Sequence, residues 1–246
     1  MEKQIVLFRD LGKMGYKQGW AYQERLMQEN LAVKAASRNM SPEVSNLEIN
    51  TLNYLLFVEH PPVYTLGKSG KMEHVLINEQ QLEEKGIEFF QTNRGGDITF
   101  HGPDQIVGYP IIDLEKFYTD IGRYLRELEE VIILTLKEYG IDAGRSAGET
   151  GVWIEPGNKG KERKICAMGV RCSRWITMHG FALNVNTDLE YFDHIIPCGI
   201  QNKKVTSMKD ELGAIVDMEE VKDKLRKNFA LVFNVEIVND QKSFAI

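Results

Sequence analysis

The feature that most constrains the fold is a long amphipathic stretch in the middle of the chain. From Ile121 to Tyr139, apolar side chains recur every three or four residues, which is the period of one helical face, and Gly140 follows as a terminator. A helix with one broad apolar face has to bury that face against another element of structure. This stretch therefore predicts a helix that packs on a sheet or on a second helix.

Strand-like segments lie on both sides of this helix, and each is short and bounded by turn residues. Further helices are predicted from Tyr16, with Trp20 and Met27 at helical spacing, and over the amphipathic stretch that begins at Met218. Strands interspersed with helices predict an α+β domain with a mixed sheet. A short helix is expected at residues 79–85, and strands are expected at residues 4–8, 52–58, 87–91, 98–100, 106–114, 152–155, 164–172, 177–185 and 235–238.

Composition limits the class of protein. The 246 residues fit one domain spanning 1–246, because no proline- or glycine-rich linker divides the chain. No apolar run reaches the roughly 20 residues that span a bilayer, and the first residues lack the basic and apolar stretches of a signal peptide, so we expect a cytoplasmic protein without a membrane partner. A formal net charge of −6 argues against a nucleic-acid partner.

Cysteine and histidine usage argues against a disulfide scaffold and against a metal centre. Cys166, Cys172 and Cys198 are too few for a disulfide framework, and they form no Cys-x-x-Cys pair. None of the five histidines stands at zinc-finger or His-Glu-x-x-His spacing. We therefore expect neither a metal nor another cofactor.

The first segment that can carry chemistry is rich in glycine. Two adjacent glycines let backbone N–H groups approach a ligand closely, and an arginine beside them adds a fixed planar charge. The alternative is a hairpin turn with a surface arginine, since glycine pairs are common in turns. The candidate residues are Arg94, Gly95, Gly96, Asp97, Ile98, Thr99, Phe100 and His101.

The second segment is an apolar strand that opens with a lysine. Lysine is unusual there because burial disfavours its charged form, and an exposed strand start is the alternative. Strict strand alternation predicts that Lys164, Cys166 and Met168 share one face. Cys166 and Cys172 are interpreted as small core residues rather than reactive thiols. The other candidates in this segment are Ala167 and Gly169.

The third segment is His179-Gly180-Phe181-Ala182, which places small residues between apolar ones. A cleft wall for an alkyl chain requires such a pattern. The alternative is a buried, hydrogen-bonded histidine followed by an ordinary core strand.

The fourth segment contains a cysteine between proline and glycine. Pro197 fixes one φ angle and Gly199 permits an unusual turn, so Cys198 could present its sulfur to a substrate. A thiol becomes a good nucleophile once a nearby cation or base favours its thiolate. A buried cysteine in a tight turn is the alternative.

Taken in this order, the four segments resemble the octanoyltransferases of lipoate synthesis, the lipoyl(octanoyl) transferase family. The resemblance is almost continuous from Tyr54 to Leu212. It takes in three further motifs, Glu59-His60-Pro61-Pro62-Val63-Tyr64-Thr65-Leu66-Gly67, Gly151-Val152-Trp153 and Val205-Thr206-Ser207.

The resemblance implies the fold of lipoate- and biotin-protein ligases: a mixed central sheet, a smaller sheet and flanking helices. It implies a catalytic pair in which Cys198 accepts the acyl group and Lys164 favours the thiolate of that cysteine. It also implies an acyl pocket lined by the first three segments, that is, by Arg94, Gly95, Gly96, Asp97, Ile98, Thr99, Phe100, His101, Ala167, Met168, Gly169, Gly180, Phe181 and Ala182.

The implied activity is transfer of an octanoyl group from octanoyl-acyl carrier protein, through a thioester on Cys198, to a lysine of a lipoyl domain. The implied acceptors are the E2 subunits of 2-oxoacid dehydrogenases and the glycine cleavage H protein. One alternative is an ATP-dependent lipoate-protein ligase, which activates a free acid and needs no nucleophilic cysteine. Another is a non-catalytic module that binds an acyl group or a carrier protein, against which the presence of both Lys164 and Cys198 argues.

Three parts of the chain fall outside the family pattern. Asp104 stands where the family usually has a glycine, which leaves the backbone of that corner in question, and residues 39–50 and the tail after Leu212 carry no assigned function. Because acyl carrier proteins and lipoyl domains are acidic, we expect docking through basic residues near the site. The candidates are Lys159, Lys161, Arg163, Arg171, Arg174, Lys203 and Lys204.

Overall fold

The structure is a computed structural model, and it describes residues 3–39, 50–196 and 204–240. Cys198, Lys203, positions 40–49 and the tail from residue 241 lie outside the described residues. Within the described residues the chain forms strands β1–β12 and helices α1–α5. The strands are Gln4–Lys13, Asn53–Glu59, Val63–Leu66, Glu88–Gln91, Ile98–His101, Gln105–Ile111, Ala143–Gly144, Val152–Ile154, Arg163–Ser173, Ile176–Asn184, Lys204–Val205 and Val235–Asn239; the helices are Tyr16–Asn39, Glu79–Glu84, Ile121–Lys137, Met208–Leu212 and Met218–Val232.

Two sheets organise these strands. The large sheet has the order β12-β1-β2-β6-β10-β9-β8-β7, with β11 beside β9. β12, β1 and β2 run parallel, β11 runs parallel to β9, and the pairs from β2 to β7 are antiparallel. The small sheet has the order β4-β3-β5. A mixed central sheet, a smaller sheet and flanking helices confirm the predicted α+β fold class.

Helices cover both faces of the large sheet. Strand β2 is apolar at nearly every position, as a strand buried on both faces requires. Leu55 and Phe57 pack into the cluster that contains the apolar faces of α3 and α5, whereas Tyr54 and Leu56 pack into the cluster beneath α1. Leu128, in the middle of the predicted stripe of α3, is fully buried.

The predicted elements occur in the described residues, with ends shifted by a few positions. Strand β1 continues to Lys13, beyond the expected residues 4–8. Strand β6 ends at Ile111, before the expected end, because the Asp113 carboxylate caps a 3₁₀ turn by accepting the Glu115 N–H. The short elements β3, β7, β11 and α4 carry too few residues for a hydrophobic period to predict them.

A cluster of aromatic and histidine side chains joins the small sheet to the large one. The Tyr16 ring stacks on His101 with centroids 5.9 Å apart, and it meets the edge of His60 at 5.2 Å. His60 Nδ1 lies 2.7 Å from the Met14 carbonyl oxygen, and Nε2 lies 2.8 Å from the Tyr109 hydroxyl. The start of α1 and strand β6 are thereby connected through one imidazole.

Burial keeps the histidines of this region neutral. It lowers the pKa of His60 to about 4 and that of His179 to about 3. It also lowers the pKa of His101 well below its ordinary value, and the nearby Arg94 charge acts in the same direction on His101 and His179.

The backbones of the two sheets also touch directly. The Gly95 N–H donates to the Val170 carbonyl oxygen of β9 at 2.9 Å. A Cβ on the neighbouring Gly169 would lie 2.6 Å from the Gly95 oxygen and 3.3 Å from Arg94 Cδ. Glycine at 169 therefore permits the close approach of β9 to the turn at residues 94–96.

We predict that the neutral histidines make the protein less stable in mild acid. In the unfolded chain each has a pKa near 6.5, so the unfolded state binds more protons below that pH. The stability that the folded protein gains from these neutral histidines is fully present above about pH 6.5. It is lost as the pH falls toward the folded-state pKa values of about 4 for His60 and about 3 for His179. Urea titrations should show the free energy of unfolding falling between pH 7 and 5, by roughly 1 kcal/mol per pH unit for each histidine.

His60→Gln provides the control, since glutamine offers a donor and an acceptor without titrating. This variant should reduce the slope of the unfolding free energy against pH by about the amount that one titrating histidine contributes. A slope identical to that of the wild type would show that His60 is not held neutral in the folded protein.

We also predict that Gly169→Ala lowers the free energy of unfolding by roughly 1–3 kcal/mol, the usual cost of overpacking. Gly95→Ala is the matched control, because its added methyl would lie 3.4 Å from the Val170 oxygen, an ordinary contact. Urea unfolding of both variants measures the difference. Equal stabilities would contradict the close approach of β9 to the turn.

Candidate active site

A cavity of about 360 Å³ lies between the two sheets, next to the start of α1. Its volume is in the range of small-molecule sites. Strands β5, β6, β9 and β10 supply most of its wall, together with the loop at residues 148–150. Among the described residues its lining consists of Tyr16, Ser69, Arg94, Gly96, Asp97, Ile98, Thr99, His101, Gln105, Val107, Tyr109, Gly148, Glu149, Thr150, Lys164, Ala167, Met168, Gly169, His179, Gly180, Phe181, Ala182, Asn184, Phe192 and Val205.

The structure brings the residues of the first three candidate segments around this one cavity, with two exceptions. Gly95 and Phe100 do not border it. Gly95 uses its N–H to bind Val170 of β9. Phe100 belongs to the core of the small sheet, where its ring stacks on Tyr191 with centroids 4.5 Å apart. The Phe100 side chain therefore lies in the core of the small sheet rather than in the cavity wall.

Arg94 is buried, and its guanidinium is surrounded by backbone oxygens. Nη2 donates to the carbonyl oxygens of Thr65 at 2.5 Å and Asp97 at 2.8 Å, and Nη1 donates to that of Gly95 at 3.0 Å. These bonds hold the turn at residues 94–97 against β3. The alternative of a surface arginine is wrong, because Arg94 is only 7% exposed.

Lys164 borders the cavity, and a β-bulge accounts for its direction. Val152 pairs with Cys166, but the next residue, Trp153, pairs with Lys164, so β9 has one extra residue at this point. The Lys164 ammonium lies 4.6 Å from the centre of the Trp153 ring, in a cation–π contact. Because Trp153 is fully buried, this contact gives the lysine a fixed support.

The bulge shifts the alternation of β9. Ile165 and Cys166 are consecutive, yet both are fully buried in the core that includes α3. Lys164 and Ala167 both border the cavity. The predicted shared face of Cys166 and Met168 is confirmed, since both pack in the core that includes α3. The inclusion of Lys164 in that face is wrong, because the strand is not regular at the bulge.

The described cysteines are poor candidates for a nucleophile. Burial raises the pKa of the Cys166 thiol far above its ordinary value, and it raises that of the half-buried Cys172 as well. The interpretation of Cys166 as a core residue is confirmed. The third cysteine, Cys198, lies outside the described residues.

The described residues on either side of Cys198 adjoin the cavity. Before it, Phe192 borders the cavity, and Ile196 is held by a backbone hydrogen bond of 2.9 Å to the connection between β3 and α2. After it, the chain enters β11, where Val205 pairs with Lys164 and borders the cavity.

His179 combines a cavity position with an unusual backbone. Its φ of 59° is left-handed although the residue belongs to β10, a conformation that costs of order 1–3 kcal/mol. Its N–H donates to Gln23 Oε1 at 2.8 Å, and its Nε2 lies 2.7 Å from Asn93 Oδ1. Since the ring is neutral at pH 7, Nε2 carries the proton and donates it to Asn93. The alternative of a buried, hydrogen-bonded histidine is confirmed, and the same residue also borders the cavity.

Asp104 keeps the conformation that a glycine would adopt. Its φ is 59°, and aspartate is one of the side chains that tolerate this region. The Asp104 carbonyl oxygen accepts the Asn186 N–H at 3.0 Å and the Thr187 hydroxyl at 3.1 Å. The departure from the family pattern therefore leaves this corner intact.

Several lining residues gave no separate sequence signal. In the sequence, Tyr16 has the same helical spacing as the other apolar residues of α1. Val107 and Tyr109 likewise resemble the other apolar residues of β6. The loop at residues 148–150 lies outside any hydrophobic period.

The described residues lack both a metal-binding cluster and a helix that could span a membrane. No group of three or more His, Cys, Asp and Glu side chains is placed there to hold a metal ion. No helix in that part of the chain is both long and apolar enough to cross a bilayer.

Sequence comparison places the chain among known enzymes. Residues 15–230 match the family model described as the lipoyl protein ligase A/B catalytic domain. The chain is 60% identical over 239 residues to the octanoyltransferase of Flavobacterium johnsoniae, covering 97% of this chain and 100% of that one. It is 46% identical over 226 residues to the octanoyltransferase of Parabacteroides distasonis, covering 92% and 97%.

Solved structures show the same fold at low sequence identity. The bi-partite lipoate protein ligase of Thermoplasma acidophilum is 19% identical, with a TM-score of 0.66 over 98% of this chain and 87% of that one. A lipoate-protein ligase A bound with ATP is 16% identical, with a TM-score of 0.67 over 98% and 89%. These likenesses confirm the predicted lipoate-ligase-like fold. The family model and the sequence relatives establish that the chain belongs to the octanoyltransferases, acyltransferases of protein lipoylation built on the lipoyl protein ligase A/B catalytic domain.

Proposed function

We propose that this acyltransferase moves an octanoyl group from octanoyl-acyl carrier protein to a lysine of a lipoyl domain, through a thioester on Cys198. The proposed acceptors are the E2 subunits of 2-oxoacid dehydrogenases and the glycine cleavage H protein. The observation that carries the proposal is the position of Lys164. It borders a cavity whose wall also contains Phe192 and Val205, the lining residues nearest to Cys198 in the chain on either side.

The proposed reaction consists of two acyl transfers. The Cys198 thiolate attacks the carbonyl carbon of the donor thioester; a new C–S bond forms, and the bond to the carrier's phosphopantetheine sulfur breaks. That sulfur leaves as a thiolate and takes up a proton. The acceptor lysine amine then attacks the acyl-enzyme; a C–N bond forms, the bond to Cys198 breaks, and the nitrogen gives up a proton. Thioester exchange is nearly balanced and amide formation is downhill, so the proposal needs no ATP.

Lys164 has two proposed roles. As an ammonium it favours a nearby thiolate by Coulomb attraction. As a neutral amine it accepts the proton that the acceptor lysine releases, which makes it a general base. Its support by the Trp153 ring and by the pairing of β9 with β11 favours a fixed position for the amine.

The cavity provides the proposed acyl pocket. Val107, Met168, Phe181 and Ala182 offer apolar surface along β6, β9 and β10. Each methylene of the acyl chain that leaves water contributes about 0.8 kcal/mol. The acyl chain would therefore be held by burial and the reacting carbonyl by the polar residues near Lys164.

The expected docking surface needs correction in two places. Arg163 forms ion pairs with Glu211 at 2.6 Å and with Glu155 at 2.9 Å, and Arg171 pairs with Glu24 at 2.8 Å. These arginines are largely neutralised by their partners. We propose that the acidic partners dock on the exposed side chains of Lys159, Lys161, Arg174 and Lys204.

Intact-protein mass spectrometry tests the covalent step. Mixing the wild type with octanoyl-acyl carrier protein, without ATP, should add one octanoyl group, and adding a lipoyl domain should remove it. Cys198→Ala should take up none, whereas the control Cys172→Ala should load like the wild type. Modification of the lipoyl domain only when ATP and free octanoate are supplied would establish the ligase reaction instead.

Substitutions of Lys164 separate its two proposed roles. Lys164→Ala should lower the overall rate by a factor on the order of 10²–10⁴, as loss of a general base does. Lys164→Arg keeps the cation but cannot act as a base, so it should load Cys198 and then fail to transfer the acyl group. Half-reaction kinetics measure the two steps. Lys137→Ala, an exposed lysine at the end of α3 outside the cavity and the proposed docking surface, is the control. A near-normal rate for Lys164→Ala would remove Lys164 from the mechanism.

A further inference from the structure

A fully buried carboxylate lies behind one part of the cavity wall. Glu129 belongs to α3 and is 0% exposed. Its Oε1 accepts the Gly151 N–H at 2.9 Å, and its Oε2 accepts the Arg145 Nε–H at 3.0 Å. Both partners belong to the connection between β7 and β8, at residues 145–151. One side chain therefore holds both ends of this loop.

The charge of Glu129 is compensated on its outer side. Arg126 lies 2.8 Å from Oε1, and Arg145 also donates to Glu130 at 2.6 Å and to the Arg126 carbonyl oxygen at 2.8 Å. A carboxylate can be buried only with such partners, and an apolar residue would often serve stability equally well. The arrangement is thus better explained by the position in which Glu129 holds the loop at residues 145–151 than by the stability that the ion pairs contribute.

The loop held by Glu129 forms the cavity wall beside Lys164. Gly148, Glu149 and Thr150 border the cavity together with Lys164. Gly151 closes the loop with a φ of 113°, and a Cβ there would lie 2.5 Å from the Cys166 carbonyl oxygen and 3.6 Å from Lys164 Cε. The loop therefore ends against β9 at the bulge that directs Lys164.

We propose that Glu129 is a positioning residue for the transferase site. It touches no substrate; its carboxylate fixes the loop at residues 145–151, and the loop fixes the cavity wall next to Lys164. The inference rests on the proposed function only in taking the octanoyl donor as the ligand of this cavity.

The test compares Glu129→Gln with Glu130→Gln. Glutamine at 129 keeps an oxygen for the Gly151 N–H, but its NH₂ group cannot accept the Arg145 Nε–H, so one end of the loop is released. The KM for octanoyl-acyl carrier protein should rise roughly five- to tenfold, the size expected for one hydrogen bond. Glu130→Gln removes the charge that pairs with the same arginine, keeps an oxygen that can accept its Nη2–H, and does not contact Gly151, so its KM should stay near the wild-type value.

A purely structural role gives a different result. It would lower the folded fraction, and hence the apparent kcat, in proportion, while leaving KM unchanged; circular dichroism at the assay temperature measures that fraction. Hydrogen exchange provides a readout without donor, because the Glu149 amide, which donates to the Ser146 carbonyl oxygen within the loop at 3.1 Å, should exchange faster in Glu129→Gln than in the wild type. Arg145→Gln releases the same end of the loop and replaces Glu129→Gln if that variant does not fold.

An unchanged KM together with unchanged exchange at residues 145–151 would overturn the positioning role. Failure of the proposed function is distinguishable from this result. In that case the wild type itself would take no octanoyl group from the carrier, while the exchange difference between the two variants would persist.

Discussion

The site depends on one backbone contact, the approach of strand β9 to the turn at residues 94–96. Gly95 donates to the Val170 carbonyl oxygen there, and Gly169 leaves room for the Gly95 oxygen at a distance that no side chain would allow. This contact brings the small sheet against the large one. The cavity between the sheets, with Arg94 on one wall and Lys164 on another, exists because the two backbones meet at this point.

The strands that line the cavity depart from regular β geometry near the proposed reaction site. The bulge in β9 turns Lys164 toward the cavity, and His179 holds a left-handed conformation inside a strand. Such irregularities are maintained only when the surrounding structure fixes them. Here Gln23 and Asn93 fix His179, and the Trp153 ring supports Lys164. The histidines near the cavity stay neutral at the expense of stability in acid.

The fold by itself does not define the reaction. A lipoate-protein ligase A bound with ATP has the same fold at 16% identity, so the sheets and helices do not by themselves identify the reaction. Side chains at the cavity decide between possible reactions. Lys164 beside β11, which adjoins the segment of Cys198, favours covalent transfer, whereas the octanoyltransferase relatives establish the family. The loop held by Glu129 adds a wall that neither the family motifs nor the strand pattern indicated.

The sequence by itself determined the elements and the family. The stripe from Ile121 gave α3, the apolar run of β2 gave a central strand, and the ordered motifs identified the octanoyltransferases, because hydrophobic period and motif order are local properties of the chain. Only the tertiary structure decided which residues face the cavity. The bulge before Cys166 separated Lys164 from the predicted face that Cys166 shares with Met168, Phe100 turned into the small-sheet core, and the loop at residues 148–150 joined the wall. These outcomes depend on contacts between elements far apart in the chain, and the hydrophobic period of a single segment does not predict such contacts.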